Sequence, residues 1–219
     1  MSHATRPPEV RSLRQQVTDA LRQAVVSGQL QPGDRVVEED FSQWLKISRG
    51  PVREALRQLE QEGLVQSFPY RSTVVVGVSD EEFTQVLSPI RLTLERFAFQ
   101  QALAHLTEDD VATLERLIET MEEAGERDDL PQLVETDVHF HRLIVERSGQ
   151  QHTIQLWHSI APRIRAYFYR MSPLHHSMVE IAQEHRDLLA ALLSRDAERV
   201  LAALDQHIVE TNAWLEAAR

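Results

Sequence analysis

The run Ser48-Arg49-Gly50-Pro51-Val52-Arg53-Glu54-Ala55-Leu56-Arg57-Gln58-Leu59-Glu60 constrains this chain more than any other stretch. At about 100° per residue, Arg49, Arg53 and Arg57 fall within one quadrant of a helix. Val52, Ala55, Leu56 and Leu59 take the opposite side, so one face packs and the other is cationic. Ser48 stands where an N-cap belongs, and Gly50-Pro51 lies in the first turn, where proline loses no hydrogen bond. Gly63 marks the stop. An arginine row alone fits a solvated surface face, but the preceding residues point further. Residues 38–47 read as a second short helix, with Phe41, Trp44 and Leu45 apolar, followed by a tight turn. That is the spacing of a helix-turn-helix whose second helix enters a DNA major groove. Beyond Gly63, residues 64–68 and 73–78 flank a polar turn at Pro69-Tyr70-Arg71-Ser72 and read as a hairpin, or wing. An amphipathic helix over residues 10–27, with Leu13, Val17, Leu21, Ala24 and Val25 on its apolar side, precedes them.

A net charge of −11 over 219 residues conflicts with DNA binding until the chain is split. Residues 1–78 hold 10 Lys+Arg against 9 Asp+Glu, whereas residues 79–219 hold 13 against 25. Phosphate repulsion excludes the acidic half from DNA, so contact falls to arginines clustered locally in the first half. The break also sets the expected domain boundary, with 1–78 binding DNA and 79–219 forming a second domain. The absence of cysteine excludes disulfides and thiolate metal sites. Without a signal-like apolar segment or a span long enough for a bilayer, a soluble cytoplasmic protein is expected.

The second half reads as six helices, at about 80–104, 108–125, 130–147, 151–171, 176–194 and 196–217, with Asp80 capping the first. Short connections imply an antiparallel all-α bundle. The fold class is therefore mostly α, a winged helix-turn-helix followed by a helical bundle. Phasing these helices places four ionisable residues on apolar stripes. Asp137 and His141 share a face one turn apart, while His185 and His207 each sit among aliphatic neighbours on their own helices. His139 points the opposite way. Burying one carboxylate and three imidazoles without partners costs several kcal/mol. A divalent cation between them removes that penalty: Zn first, with Ni, Mn or Fe(II) open. On the residues alone, a set of hydrogen-bonded core histidines and an Asp–His ion pair is equally open. No spare buried Glu, Lys or Tyr is evident.

Three segments, Ser27-Gly28-Gln29-Leu30-Gln31-Pro32-Gly33-Asp34-Arg35, Ser48-Arg49-Gly50-Pro51-Val52-Arg53-Glu54-Ala55-Leu56 and Leu59-Glu60-Gln61-Glu62-Gly63-Leu64-Val65, resemble the GntR family of bacterial transcription regulators. Lys46 stands where the family often has glycine, Glu39 where a basic residue is common, and Ser72 at the wing-tip glycine. The expected DNA-contacting set is Arg35, Ser48, Arg49, Gly50, Arg53, Arg57 and, on the wing, Arg71. In the second half, Asp137-Val138-His139-Phe140-His141-Arg142-Leu143, Gln183-Glu184-His185-Arg186-Asp187-Leu188-Leu189 and His207 resemble the FCD effector domain of the FadR subfamily, and the helix count its VanR-like branch. The resemblance implies Asp137, His141, His185 and His207 as metal ligands beside a site for a small carboxylate effector. Arg91, at the edge of its stripe, either faces that effector or pairs with Glu95, and Arg163 is a further candidate. The resulting expectation is a metabolite-responsive DNA-binding regulator, a repressor as is usual in this family, acting as a homodimer on a two-fold operator. A metal-dependent enzyme and a regulator with a purely structural metal are the alternatives.

Overall fold

The computed structural model describes residues 13–68, 72–171 and 178–217, which form two compact units divided between Val76 and Gly77. The first unit contains α1 (Leu13–Val26), β1 (Arg35–Val36), α2 (Glu38–Trp44), α3 (Arg49–Gln61), β2 (Val65–Gln66) and β3 (Thr73–Val75). Val17, Leu21, Ala24 and Val25 of α1, Val52, Ala55, Leu56 and Leu59 of α3, Leu64, and Val36, Val65 and Val75 of the sheet are buried apolar residues of this unit. The expected face of α3 is thus the packed one. Arg22 ties α1 to α3 through a two-pronged pair with Glu62, at 2.8 and 2.7 Å.

Helix α3 ends in a Schellman arrangement. Gly63 takes a left-handed φ of 69°, and the amides of Gly63 and Leu64 donate to the carbonyls of Glu60 and Leu59. Its start differs from expectation, because Ser48 occupies the N-cap position but its side chain makes no capping bond. The turn between α2 and α3 places Lys46 at φ 54°, where a side chain is strained and glycine is not. The wing is larger than a hairpin on one side and shorter on the other. Arg35–Val36 joins as a third strand in the antiparallel order β1-β3-β2, and β3 stops at Val75 instead of residue 78.

The second unit begins with Ser79, whose side chain accepts from the Glu82 amide, so Ser79 rather than Asp80 is the cap. The expected helix over 80–104 is instead a short α4 (Asp80–Glu82), a π-helical turn (Phe83–Leu87) and α5 (Ser88–Ala102) in succession. Then follow α6 (Glu108–Glu126), opened by a Thr107–Asp110 capping box, α7 (Leu130–Arg147), α8 (Gln151–Met171), α9 (Met178–Leu193) and α10 (Ala197–Ala217). Helix α6 packs on α7 and α9, and α5 on α7, α8 and α10. Phe99, Leu114, Met121, Phe140, Ile144, Leu188 and Leu204 fill the resulting core. Among the described residues no helix is long and apolar enough to cross a membrane.

Candidate metal centre and nucleic-acid interface

Within this core, α7 supplies Asp137 and His141 one turn apart, α9 supplies His185 and α10 supplies His207. One ligand atom from each lies within 4.8 Å of all the others. The three imidazoles are fully buried or nearly so, and Asp137 is 13% exposed at its side chain. Each histidine is oriented from behind. Nδ1 of His185 lies 2.7 Å from the Ile181 carbonyl, which can only accept. Nδ1 of His207 lies 3.1 Å from Glu184 Oε2, and Nδ1 of His141 lies 2.9 Å from Glu95 Oε2. The His141–Glu95 contact is close in distance but is not aligned as a hydrogen bond, whereas the other two are. With an acceptor nearest each Nδ1, that nitrogen is assigned the proton in all three rings, and each Nε2 presents a lone pair.

Those lone pairs face one another. Nε2 of His141 and Nε2 of His207 are 3.2 Å apart, and Nε2 of His185 is 3.1 Å from Asp137 Oδ1. The Nε2 of His185 is also a buried atom without a hydrogen-bond partner. Four acceptors converging with no proton among them repel unless a cation sits between them. Imidazole nitrogen and carboxylate oxygen, with no thiolate, are the donor set of a divalent transition metal, and outer acceptors at Nδ1 are what such ligands carry. The residues fit the group. Burial opposes ionisation of Asp137, but the close His185 and His141 imidazoles and the Arg91 guanidinium hold it well below the usual carboxylate range. Burial, reinforced by the other two imidazoles and Arg91, pushes His207 well below the ordinary histidine value, and burial lowers His141 as well. The shifts of His141 and His207 favour the neutral ring that ligation requires.

Arg91 lies beside this cluster. It is 4% exposed, its Nε donates to Glu95 Oε1 at 2.8 Å, and its guanidinium sits over the Phe168 ring. Both readings of Arg91 hold a part of the geometry: it pairs with Glu95, and it lines a cavity with Asp137, Val138, His141, Trp157, Ala161 and Ile164. That cavity, about 10 Å³, has room for roughly one water molecule. Arg163 is not brought there; its guanidinium bonds the Ser159 carbonyl of its own helix at 2.6 Å. Glu95 was not expected. It is completely buried and corrects the expectation that no carboxylate is spare in the core, as buried Tyr167 does for tyrosine. Burial opposes its ionisation, but Arg91, His141 and Trp157 together hold it ionised, below the usual carboxylate range. Its position one turn after Arg91 is the only sequence signal it carries.

In the first unit, Arg35, Ser48, Arg49, Gly50, Arg53 and Arg57 are all exposed, and Arg71 lies outside the described residues. Each arginine of α3 is paired with a glutamate: Arg49 with Glu39, Arg53 with Glu38 at 3.0 Å, and Arg57 with Glu54 at 2.8 Å. Side chains of these arginines remain 54–66% exposed, so the pairs are surface pairs. A Cβ at Gly50 would meet nothing within 4 Å, so the chain's own packing does not require glycine there. The arrangement is a cationic helix face whose charges are parked on acidic neighbours of α2 and α3.

Comparison with known proteins bears on both units. Residues 13–75 match the bacterial regulatory proteins of the gntR family, and residues 87–210 match the FCD domain. The HTH-type transcriptional repressor RspR of Escherichia coli is 31% identical over 202 residues, spanning 90% of this chain and 86% of that protein. The gluconate operon transcriptional repressor of Bacillus licheniformis is 23% identical over 90% of this chain and 82% of its own length. Among solved structures, E. coli McbR/YncC superimposes with a TM-score of 0.82 at 26% identity, covering 95% of this chain and 99% of that one.

Proposed function

The chain belongs to the GntR family of bacterial transcription regulators, with an FCD domain as its second part, and from that premise we propose that it is a repressor whose helical domain senses a small carboxylate beside a bound divalent metal. Its relatives are regulators, not enzymes. Residues 1–78 act as the DNA-binding domain and 79–219 as the sensing and dimerising domain. The observation that carries the metal reading is the set of four ligand atoms, three imidazole nitrogens and one carboxylate oxygen, gathered within 4.8 Å of one another in the core. Asp137, His141, His185 and His207 would hold the ion, zinc foremost, and the ion would supply a Lewis-acidic contact for an incoming ligand oxygen.

Charge supports an anionic effector. Arg91 brings one positive charge to the buried cluster, while Glu95 and Asp137 bring two negative ones. A divalent cation would leave one surplus positive charge, which a carboxylate neutralises. Arg91 retains terminal amino groups that make no hydrogen bond among the described residues, and guanidinium pairs carboxylates bidentately. A cavity with room for one water requires the side chains around it, Trp157 and Ile164 among them, to move apart for such a ligand. A ligand that favours the opened arrangement shifts the population toward it, and only that differential affinity can change DNA binding.

On DNA, Arg49 and Arg53 contact base edges or flanking phosphates by exchanging their glutamate partners for the nucleic acid. Ser48 and Gly50 admit close approach of the backbone, and Arg35, Arg57 and the wing residue Arg71 contribute phosphate contacts. Two copies on a two-fold operator are required because one recognition helix reads too few base pairs. The small cavity volume favours a second reading, in which the metal is structural and no effector binds. Elemental analysis of untagged protein tests the metal, with one divalent ion per chain expected. An unchanged content in the quadruple alanine variant of Asp137, His141, His185 and His207 refutes the site. Calorimetry of the metal-loaded protein with small hydroxy and keto acids, repeated after chelation, separates the readings: heat lost on chelation supports sensing, and no heat from any acid supports the structural metal.

A further inference from the structure

One carboxylate joins the Asp137, His141, His185 and His207 cluster to Arg91. Glu95 is fully buried on α5, one turn beyond Arg91. Its Oε1 accepts from Arg91 Nε at 2.8 Å and from Trp157 Nε1 at 2.9 Å. Its Oε2 lies 2.9 Å from His141 Nδ1. The two oxygens thus serve two sides of the same site, one holding the cavity wall and the other a metal ligand from α7.

We propose that Glu95 is the positioning residue of the centre, orienting the His141 lone pair toward the metal with one oxygen while fixing Arg91 and Trp157 at the cavity with the other. The inference rests on the metal reading given above. The physical case has three parts. A neutral imidazole offers one lone pair, and which nitrogen carries it is set by the acceptor at the other nitrogen. A carboxylate there fixes the tautomer, locks the ring rotation and raises the basicity of the ligating nitrogen more than a backbone carbonyl does. Glu95 is completely buried, so bulk solvent does not reach the acceptor position to take over its role when Glu95 is lost. His207 has its own carboxylate, Glu184, but that side chain is 30% exposed, and water can stand in for it. His185 relies on the Ile181 carbonyl, which no substitution removes. Of the three histidines, His141 therefore depends most on a single replaceable side chain.

The test is a competition titration of the full chain with cobalt(II) and with zinc(II), each against a chromogenic chelator, alongside the visible spectrum of the cobalt form. Glu95→Gln keeps the shape but cannot satisfy Arg91, Trp157 and His141 together. It is expected to weaken metal binding about 10–100-fold and to shift the cobalt ligand-field bands. Glu184→Gln is expected to produce a smaller loss. A merely structural role for Glu95 would lower thermal stability but leave the affinity and the spectrum of the folded protein as they were. Should Glu95→Gln fail to fold, Arg91→Met combined with Glu95→Gln removes the buried pair together, so that neither member is left facing a lost partner, and is expected to show the same loss of affinity. Wild-type affinity and bands in whichever of these variants folds would overturn the proposal. An Asp137→Ala, His185→Ala variant that keeps its cobalt would instead overturn the metal reading, so the two failures are distinguishable.

Discussion

Arg91–Glu95 and Arg53–Glu38 are the same chemical pair at nearly the same separation, 2.8 and 3.0 Å, in opposite surroundings. The first has side chains 5% and 0% exposed; the second, 54% and 35%. In water an ion pair gains little, because solvent stabilises the separated charges almost as well, and it exchanges partners readily. In the core neither partner can leave without stranding a charge. The contrast matches the tasks proposed for the two regions. Arginines on α3 must release their glutamates whenever DNA arrives, whereas Arg91 must stay in place to meet a ligand that comes to it.

The comparison is broken most directly by removing one member of each pair. In metal-free protein, Glu95→Ala is expected to cost about 3–5 kcal/mol, and Glu38→Ala no more than about 1 kcal/mol. Denaturant unfolding followed by circular dichroism measures both, and equal losses would erase the distinction. Acid sharpens it next. His141 and His207 have folded-state pKa values lowered chiefly by burial, so the unfolded chain takes up protons first as the pH falls. Their neutral burial is therefore destabilising below the ordinary histidine value near 6.5, and stability of the metal-free protein should fall as the pH drops through and below that value. Glu95 and Asp137 have lowered values, so their contribution disappears only further down, below roughly pH 4.5. A flat profile through the upper window would mean that the imidazoles are hydrated. The smallest effect on folding is expected at the surface. Arg53→Ala should leave stability within about 1 kcal/mol of wild type, yet weaken binding to the gene's own promoter by about 1–3 kcal/mol if Arg53 reads a guanine edge. Undiminished binding in the Arg49→Ala, Arg53→Ala double variant would remove these residues from the interface.

What was legible in the sequence follows the same division. The packed face of α3, the stop at Gly63 and the grouping of Asp137, His141, His185 and His207 are periodic signals, and periodicity reports which side of a helix faces inward. The partner of a buried side chain is a property of three helices at once. Hence Glu95 was readable only as a possible mate for Arg91, and Glu184 gave no sign that it reaches His207 on another helix. Arg163 shows the converse: standing beside an apolar stripe, it satisfied a helical-wheel criterion, but its guanidinium bends back to its own backbone. Ser48 has the right residue type at the right place without making the bond, because N-cap preference is a tendency of the position rather than a guarantee of the contact.

The π-helical turn at Phe83–Leu87 has a consequence for how this helix can change. A π turn carries one residue more than the regular ladder needs, so the segment before it and α5 after it keep separate phase origins. A wheel drawn through the whole stretch at one pitch is out of step on one side of the turn. Phe83, the first residue of the turn, stacks on Tyr167 of α8, with centroids 3.8 Å apart. Substitutions across the turn keep this offset and are absorbed locally. Deleting one residue among 84–87 is expected to restore a continuous α-helix and turn Phe83 by about 100° relative to α5. For this helix, length is therefore a stricter inheritance than residue identity.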